Sequence, residues 1–146
     1  MSRPRVLVIE AELGLRLRWI AALSDAVDAR GPSDAGPPLR EVRRDRVPWA
    51  LLGLGRGQLA DGLQLCRQLR TDREPPGVGL IDPWDRLDGD AALRLHGAQG
   101  YLGGDPDPAQ LQAFVAALLR GEQPLVRVPA RRGLLARLLG PSTGKP

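Results

Sequence analysis

The chain has 146 residues, of which 42% are hydrophobic and 3% aromatic, a length that fits one domain with a mainly aliphatic core. Its single cysteine excludes an internal disulfide, and no stretch approaches the roughly 18 apolar residues of a membrane span. The net charge is +4, but residues 120–146 alone carry +5. With no signal-peptide pattern in the first ten residues, these features predict a cytoplasmic domain that ends in a basic tail.

Apolar runs and helical spacings alternate along the chain. The run at 6–9 predicts a strand buried on both faces, and 12–23 predicts a helix with Leu13, Leu17 and Ile20 on one face. The remaining clear elements are, in chain order, a strand at 50–54, a helix at 61–70, a strand at 78–81, a helix at 87–95, a strand at 100–102 and a helix that begins after Asp107.

The stretch 24–47 gives the weakest signal. Its only strand candidate is 26–29, and residues 31–38 are dense in glycine, proline, serine and aspartate, which favour turns. A short arginine-rich helix is predicted at 39–47. We therefore expect the second strand and helix to be short or irregular.

The alternation predicts an α/β fold with a doubly wound, five-stranded parallel sheet of flavodoxin-like order. Such sheets carry their functional crevice at the carboxyl ends of the first and third strands. Glu10 and Gly53 should therefore lie close together, with Ile81 and Gly104 at neighbouring strand ends. We assign residues 1–121 to this domain and 122–146 to a basic tail, with a short amphipathic helix at 130–139.

Four segments share their order and spacing with a known family. They are 6–12, 48–70, 97–102 and the pair Asp107-Pro108. Together they resemble the receiver domains of bacterial response regulators, the CheY-like family, over roughly residues 3–120. In that family an aspartate at the end of the third strand accepts a phosphoryl group from a histidine kinase. The resemblance therefore implies the (βα)5 fold of a two-component signalling domain.

The resemblance also implies that the phosphorylation site is degenerate. The two Mg²⁺-binding acidic positions correspond to Glu10 and Ala11, and the phosphoacceptor position is Gly53. The hydroxyl residue of the fourth strand corresponds to Ile81, and the lysine after the fifth strand to Gly104. Phosphoryl transfer needs a nucleophile, a metal and groups that stabilise the phosphoryl oxygens. We therefore predict a pseudo-receiver that is not an enzyme and holds no metal or cofactor.

Two rival predictions concern the crevice. Glu10, Glu12 and Asp82 could form a residual metal site, but we favour three solvated carboxylates because the usual ligand set is missing. The glycine-rich loop 53–57 could instead bind an anion or a nucleotide. It matches no phosphate-binding motif, so we favour a loop left behind by a lost active site.

Candidate interaction residues lie on two surfaces. Trp84, Arg94, Tyr101 and Gln112 are predicted near the fourth helix, fifth strand and fifth helix, a face that commonly mediates dimerisation or binding in the resembled family. The aromatic at the position of Tyr101 turns inward or outward there with phosphorylation state. In the predicted tail helix the candidates are Arg132, Leu135, Arg137 and Leu138.

We therefore predict a phosphorylation-independent signalling or adaptor module that acts through protein–protein contacts. Its predicted partners are one or more proteins of unknown identity, and a second copy of the chain is one candidate. The alternatives are ligand binding in the glycine-rich crevice and nucleic-acid association through the basic tail. The tail could also reach a membrane surface. We rank nucleic acid and membrane below protein, and we rank docking of the tail on its own domain or a dimer partner first, because four free leucines would form an exposed apolar patch.

Overall fold

The computed structural model describes residues 3–33, 37–55 and 59–129. Within these ranges the strands are β1 (Arg5–Ile9), β2 (Asp28–Arg30), β3 (Trp49–Gly53), β4 (Gly77–Asp82), β5 (Gly100–Gly103) and β6 (Leu125–Arg127). The helices are α1 (Leu13–Leu23), α2 (Pro38–Asp45), α3 (Leu59–Arg70), α4 (Gly89–His96) and α5 (Pro108–Leu119). The predicted alternation of strands and helices is confirmed, and the weak stretch forms the short elements β2 and α2.

The strands form one parallel sheet in the order β2-β1-β3-β4-β5-β6. The doubly wound α/β fold is thus confirmed, and the strand order reverses between β1 and β3, where the crevice was predicted. Helices α2, α3 and α4 cover one face of the sheet, and α1 and α5 cover the other. Because every described pairing is parallel, the carboxyl ends of all six strands lie at one edge.

The sheet has one strand more than the five predicted. β6 pairs with β5 in the register Leu102↔Val126, and the backbone N–H of Val128 donates to the carbonyl of Gly103 at 2.7 Å. An edge strand leaves unpaired backbone groups, and the β-branched segment after Pro124 satisfies those of β5. These residues belong to the stretch assigned to the tail. The helix predicted at 130–139 lies outside the described residues.

Helix α1 turns its Trp19 side toward the sheet. Trp19 and Leu23 are buried against the sheet, whereas Leu13 and Leu17 are 55% and 56% exposed and Ile20 is only partly buried. The spacing of apolar residues did not distinguish the two faces, because α1 is apolar around most of its circumference. The face with Trp19 is buried because that side chain removes the most apolar area from water.

Helix α5 begins as the sequence predicted. The Asp107 side chain accepts from the Gln110 amide at 2.7 Å, and the Gln110 side chain accepts from the Asp107 amide at 2.8 Å. This capping box satisfies two of the amides that a helix start leaves unpaired. No helix in the described ranges is long and apolar enough to cross a membrane.

Candidate functional site

Glu10 and Gly53 meet at the centre of the crevice, as predicted. Glu10 is only 3% exposed, and its Oε2 accepts from the Glu12 amide at 2.7 Å. A Cβ placed on Gly53 would lie 2.1 Å from Glu10 Oε1 and 2.6 Å from Cζ3 of Trp19. Cβ atoms in proteins essentially never lie closer than 3.0 Å to a non-bonded heavy atom. The Glu10 carboxyl and the Trp19 ring therefore occupy the volume that an acceptor side chain at position 53 would need.

Two buried polar atoms at this point lack a hydrogen-bond partner among the described residues, namely Glu10 Oε1 and Trp19 Nε1. Burial is the main cause that raises the pKa of Glu10 above its ordinary value, and the amide of Glu12 partly opposes it. The carboxyl lies directly beneath the loop after β3, since a Cβ on Gly55 would be 2.7 Å from Glu10 Oε2.

The raised pKa of Glu10 predicts a pH dependence of stability. Between 4.5, the ordinary pKa of the group, and its raised folded-state value, the folded chain binds the Glu10 proton more tightly than the unfolded chain. The free energy of unfolding should therefore fall as pH rises through this interval. Urea denaturation at a series of pH values should show a shallower fall in Glu10→Gln, whereas the control Glu74→Gln should follow the parent. A parental slope in Glu10→Gln would contradict the prediction.

Asp82 ends β4 and is fully buried, so neither Asp82 nor the buried Glu10 is the solvated carboxylate that was predicted. Its carboxylate accepts from the backbone N–H groups of Trp84 at 3.3 Å and Arg86 at 2.5 Å. Ile81, the residue before it, is buried in the core beside α1 and α5. Successive strand residues point to opposite faces, which is why the apolar side chain enters one core layer and the carboxylate faces the other.

Arg86 is the site residue that sequence reasoning missed. Its Nη2 lies 3.0 Å from Asp82 Oδ1 and donates to the carbonyl of Leu54, with the carbonyl of Gly55 at 3.4 Å. One guanidinium thus joins the loop after β4 to the loop after β3, across the crevice. The sequence did contain a signal for this ion pair. Asp82 lies at the end of a buried strand and Arg86 follows four residues later, a spacing that allows the two side chains to pair.

Tyr101 lies in the core instead of at the surface. Its hydroxyl is 2.9 Å from Asp85 Oδ1 and 3.2 Å from Asp82 Oδ2, and its ring is fully buried. Burial, followed by the bond to Asp85, raises the pKa of Tyr101 far above its ordinary value. The ring is therefore held inward by two carboxylates, and in this conformation it offers no surface to a partner.

Gly104 lies against the segment that follows β6. Its backbone φ is +112°, a conformation that residues other than glycine rarely adopt. A Cβ at this position would lie 2.8 Å from the carbonyl oxygen of Val128. Arg127 of β6 lies 3.9 Å from Asp85. β6 and the residue after it thus pack against Gly104, the position predicted from the resemblance to correspond to the family's lysine, and approach the carboxylate that holds Tyr101.

The other predicted residues are dispersed. Ala11 is exposed beside the crevice, and Trp84 is 42% exposed in the loop after β4. Arg94 pairs with Asp90 on the surface of α4, and the Gln112 side chain donates to the carbonyl of Ala22, which links α5 to α1. The tail candidates Arg132, Leu135, Arg137 and Leu138 lie outside the described residues. Among the residues that are described, no group of three acidic, histidine or cysteine side chains could hold a metal ion.

No protein-family model and no curated protein sequence matches the chain. Among solved structures, response regulator DrrB of Thermotoga maritima is 17% identical with a TM-score of 0.63, and the match covers 84% of this chain and 55% of that one. The chain thus spans about half the length of that regulator.

Two further structures match nearly whole chains. A LuxR-family DNA-binding response regulator from Silicibacter pomeroyi is 25% identical with a TM-score of 0.64, over 86% of this chain and 97% of that one. Chemotaxis protein CheY4 of Vibrio cholerae is 15% identical with a TM-score of 0.65, over 82% and 98%. The strand order, the crevice between β1 and β3 and these likenesses together show that the chain has the fold of a response-regulator receiver domain.

Proposed function

We propose that the chain is a signalling module of the two-component type that works without phosphorylation and acts through protein–protein contacts. The observation that carries this proposal is the filled crevice. Glu10 and Trp19 occupy the space beside Gly53, and Arg86 joins the two loops above it. If the crevice of a receiver fold is filled by its own side chains, the domain can still bind other proteins through its outer surfaces.

The chemistry of the crevice supports the loss of phosphoryl transfer. There is no carboxylate on β3 to attack a phosphoryl group, and Glu10 already accepts from the Glu12 amide with one oxygen and is buried around the other. Mg²⁺ requires accessible oxygens in octahedral geometry. Ile81 offers no hydroxyl and Gly104 no cation. We expect no enzymatic activity and no resident metal or cofactor.

Anion or nucleotide binding in the crevice is less well supported. Among the described residues, Arg86 is the cation that bridges the loops on either side of the crevice, and its guanidinium is already bonded to Asp82 and to the carbonyl of Leu54. An incoming phosphate would have to break a buried ion pair, which is costly when one partner remains uncompensated. Nucleic-acid association through the tail has no supporting contact in the described residues.

Phosphoryl analogues test the proposal directly. The full chain is incubated with Mg²⁺ and either acetyl phosphate or beryllofluoride, and its intact mass and amide NMR spectrum are recorded. We expect no added mass and no shift at Glu10, Gly53 or Tyr101. A receiver domain of Thermotoga maritima DrrB, which has been described in a beryllofluoride-activated form, serves as the positive control under the same conditions.

The outcomes of this experiment distinguish phosphorylation from ligand binding in the crevice. A saturable shift at Glu10 and Gly53 that requires Mg²⁺ would overturn the proposal, as would a mass increase of one phosphoryl group. A shift at the same residues with phosphate or nucleotide alone, in the absence of Mg²⁺, would instead favour the ligand-binding crevice. If the spectra are unchanged in all these samples, the result supports a domain that acts through protein contacts on its surface.

A further inference from the structure

The outer face of α1 is apolar although it faces away from the core. Leu13 and Leu17 are 55% and 56% exposed, and Ala21, one turn further on, is exposed as well. These three positions are spaced four apart, so they form one stripe along the helix. The opposite side of the same helix buries Trp19 and Leu23. A helix that is apolar on both sides is typical of one covered on both sides. We call Leu13, Leu17 and Ala21 the α1 stripe.

A series of contacts links the end of the described chain to α1. β6 runs parallel to β5, so its carboxyl end lies at the same edge of the sheet as the start of α1. Val128 packs against Gly104, and the next residue, Asp105, is bonded to Arg18 of α1 at 2.7 Å. Arg18 adjoins Leu17 in the sequence. A short path along the protein surface therefore joins the end of β6 to the stripe.

We propose that residues 130–139 of this chain cover the α1 stripe. This segment holds Leu134, Leu135, Leu138 and Leu139, whose spacing predicts one apolar side on a short helix. The residues between Pro129 and Leu134 can span roughly 15 Å when extended, and the remaining six residues, 134–139, add about 9 Å as a helix. The segment would follow the contacts that lead from Val128 and Gly104, through Asp105, to Arg18 of α1.

The small size of the α1 stripe favours a tethered segment over a second copy of the chain. A stable dimer generally buries more than about 1,000 Å², which two leucines and an alanine do not provide. A segment joined to the domain by a few residues acts at an effective concentration in the millimolar range, so a small apolar contact is sufficient. This docking involves no phosphoryl chemistry and is independent of the partner that the domain binds.

A spin label on the tail tests the docking in the full chain. Ser142→Cys is labelled with a nitroxide at neutral pH, because the native Cys66 is buried, burial raises its pKa to about 11, and it stays unlabelled. We expect the amide signals of Leu13, Gly14 and Leu17 to broaden strongly relative to the reduced label. The signals of Leu95 and its neighbours in α4 should remain sharp.

Variants and mixed samples give the deciding outcomes. Leu13→Ser combined with Leu17→Ser should abolish the broadening along α1, whereas Leu95→Ser, which alters a leucine that is 70% exposed at the end of α4, should preserve it. Broadening centred on Trp84, or none at all, would overturn the proposal. Broadening of an isotope-labelled chain by a separately spin-labelled copy would also overturn it, and would indicate a dimer.

Discussion

Replacing Gly53 with aspartate is expected to destabilise the domain without creating a phosphoacceptor. A Cβ at this position would lie 2.1 Å from Glu10 Oε1 and 2.6 Å from the Trp19 ring, and the new carboxylate would face a second carboxyl. Overpacking of a core costs about 1–3 kcal/mol, and repulsion between the two acids adds to this. We expect the free energy of unfolding to fall by about 3 kcal/mol, measured by urea denaturation, with no mass gain in acetyl phosphate and Mg²⁺.

Gly14→Asp is the matched control for this substitution. A Cβ on Gly14 meets nothing within 4 Å, and the residue is exposed in the first turn of α1. An acidic side chain near a helix start is favourable, and replacing a helical glycine removes an unfavourable residue. We therefore expect the control to be neutral or slightly stabilising. The two substitutions add the same charged side chain, but only the one at Gly53 meets neighbouring atoms.

A third variant identifies the cause of the destabilisation. In Gly53→Asp combined with Glu10→Ala, the closest atoms and the second carboxylate are removed, so part of the lost stability should return. Trp19 remains, and recovery should be incomplete. If Gly53→Asp alone is as stable as the parent, or if it takes up a phosphoryl group, then Glu10 and Trp19 do not block the site as the geometry indicates.

Arg86→Ala is expected to have the second large effect. It leaves the fully buried Asp82 carboxylate without its cation and removes the bond to the Leu54 carbonyl. Removing one partner of a buried ion pair costs about 3–5 kcal/mol. Because the Arg86 side chain is partly exposed, we expect about 3 kcal/mol, at the lower end of that range. Hydrogen exchange should also quicken in the loops after β3 and β4.

Arg94→Ala provides the control, since Arg94 and Asp90 form an ion pair at the same i, i+4 spacing on the surface of α4. Both side chains there are mostly exposed, and such pairs contribute about 0.5 kcal/mol or less. The two arginines therefore differ mainly in the burial of their partner carboxylate. Equal losses in the two variants would show that the Asp82–Arg86 pair does not hold the loops together.

The sequence predicted the elements that depend on local pattern. The apolar run at 6–9 gave β1, the capping residues Asp107 and Pro108 gave the start of α5, and the alternation of strands and helices gave a parallel sheet with its crevice between β1 and β3. It also predicted that Glu10 and Gly53 would meet. These predictions follow from the periodicity of each element and from the rule that parallel strands end at one edge.

The predictions that were wrong or missing depend on packing between distant segments. The inner face of α1 was not predicted because leucines lie on both sides of the helix, and only the sheet shows that Trp19 is the residue it buries. β6 was missed because three residues carry little signal until they lie beside the open edge of β5. Asp82 was predicted to be solvated, and its burial became clear only with the partners that Arg86 and Tyr101 supply.

By itself, the sequence determined that residue 53 is a glycine and predicted that the fold is a doubly wound α/β domain, because residue identity and periodicity are properties of the chain alone. Only the tertiary structure decided what fills the crevice. The carboxyl of Glu10, the ring of Trp19 and the guanidinium of Arg86 come from three separate segments. Their convergence depends on how the sheet brings strand ends together, which no local pattern encodes.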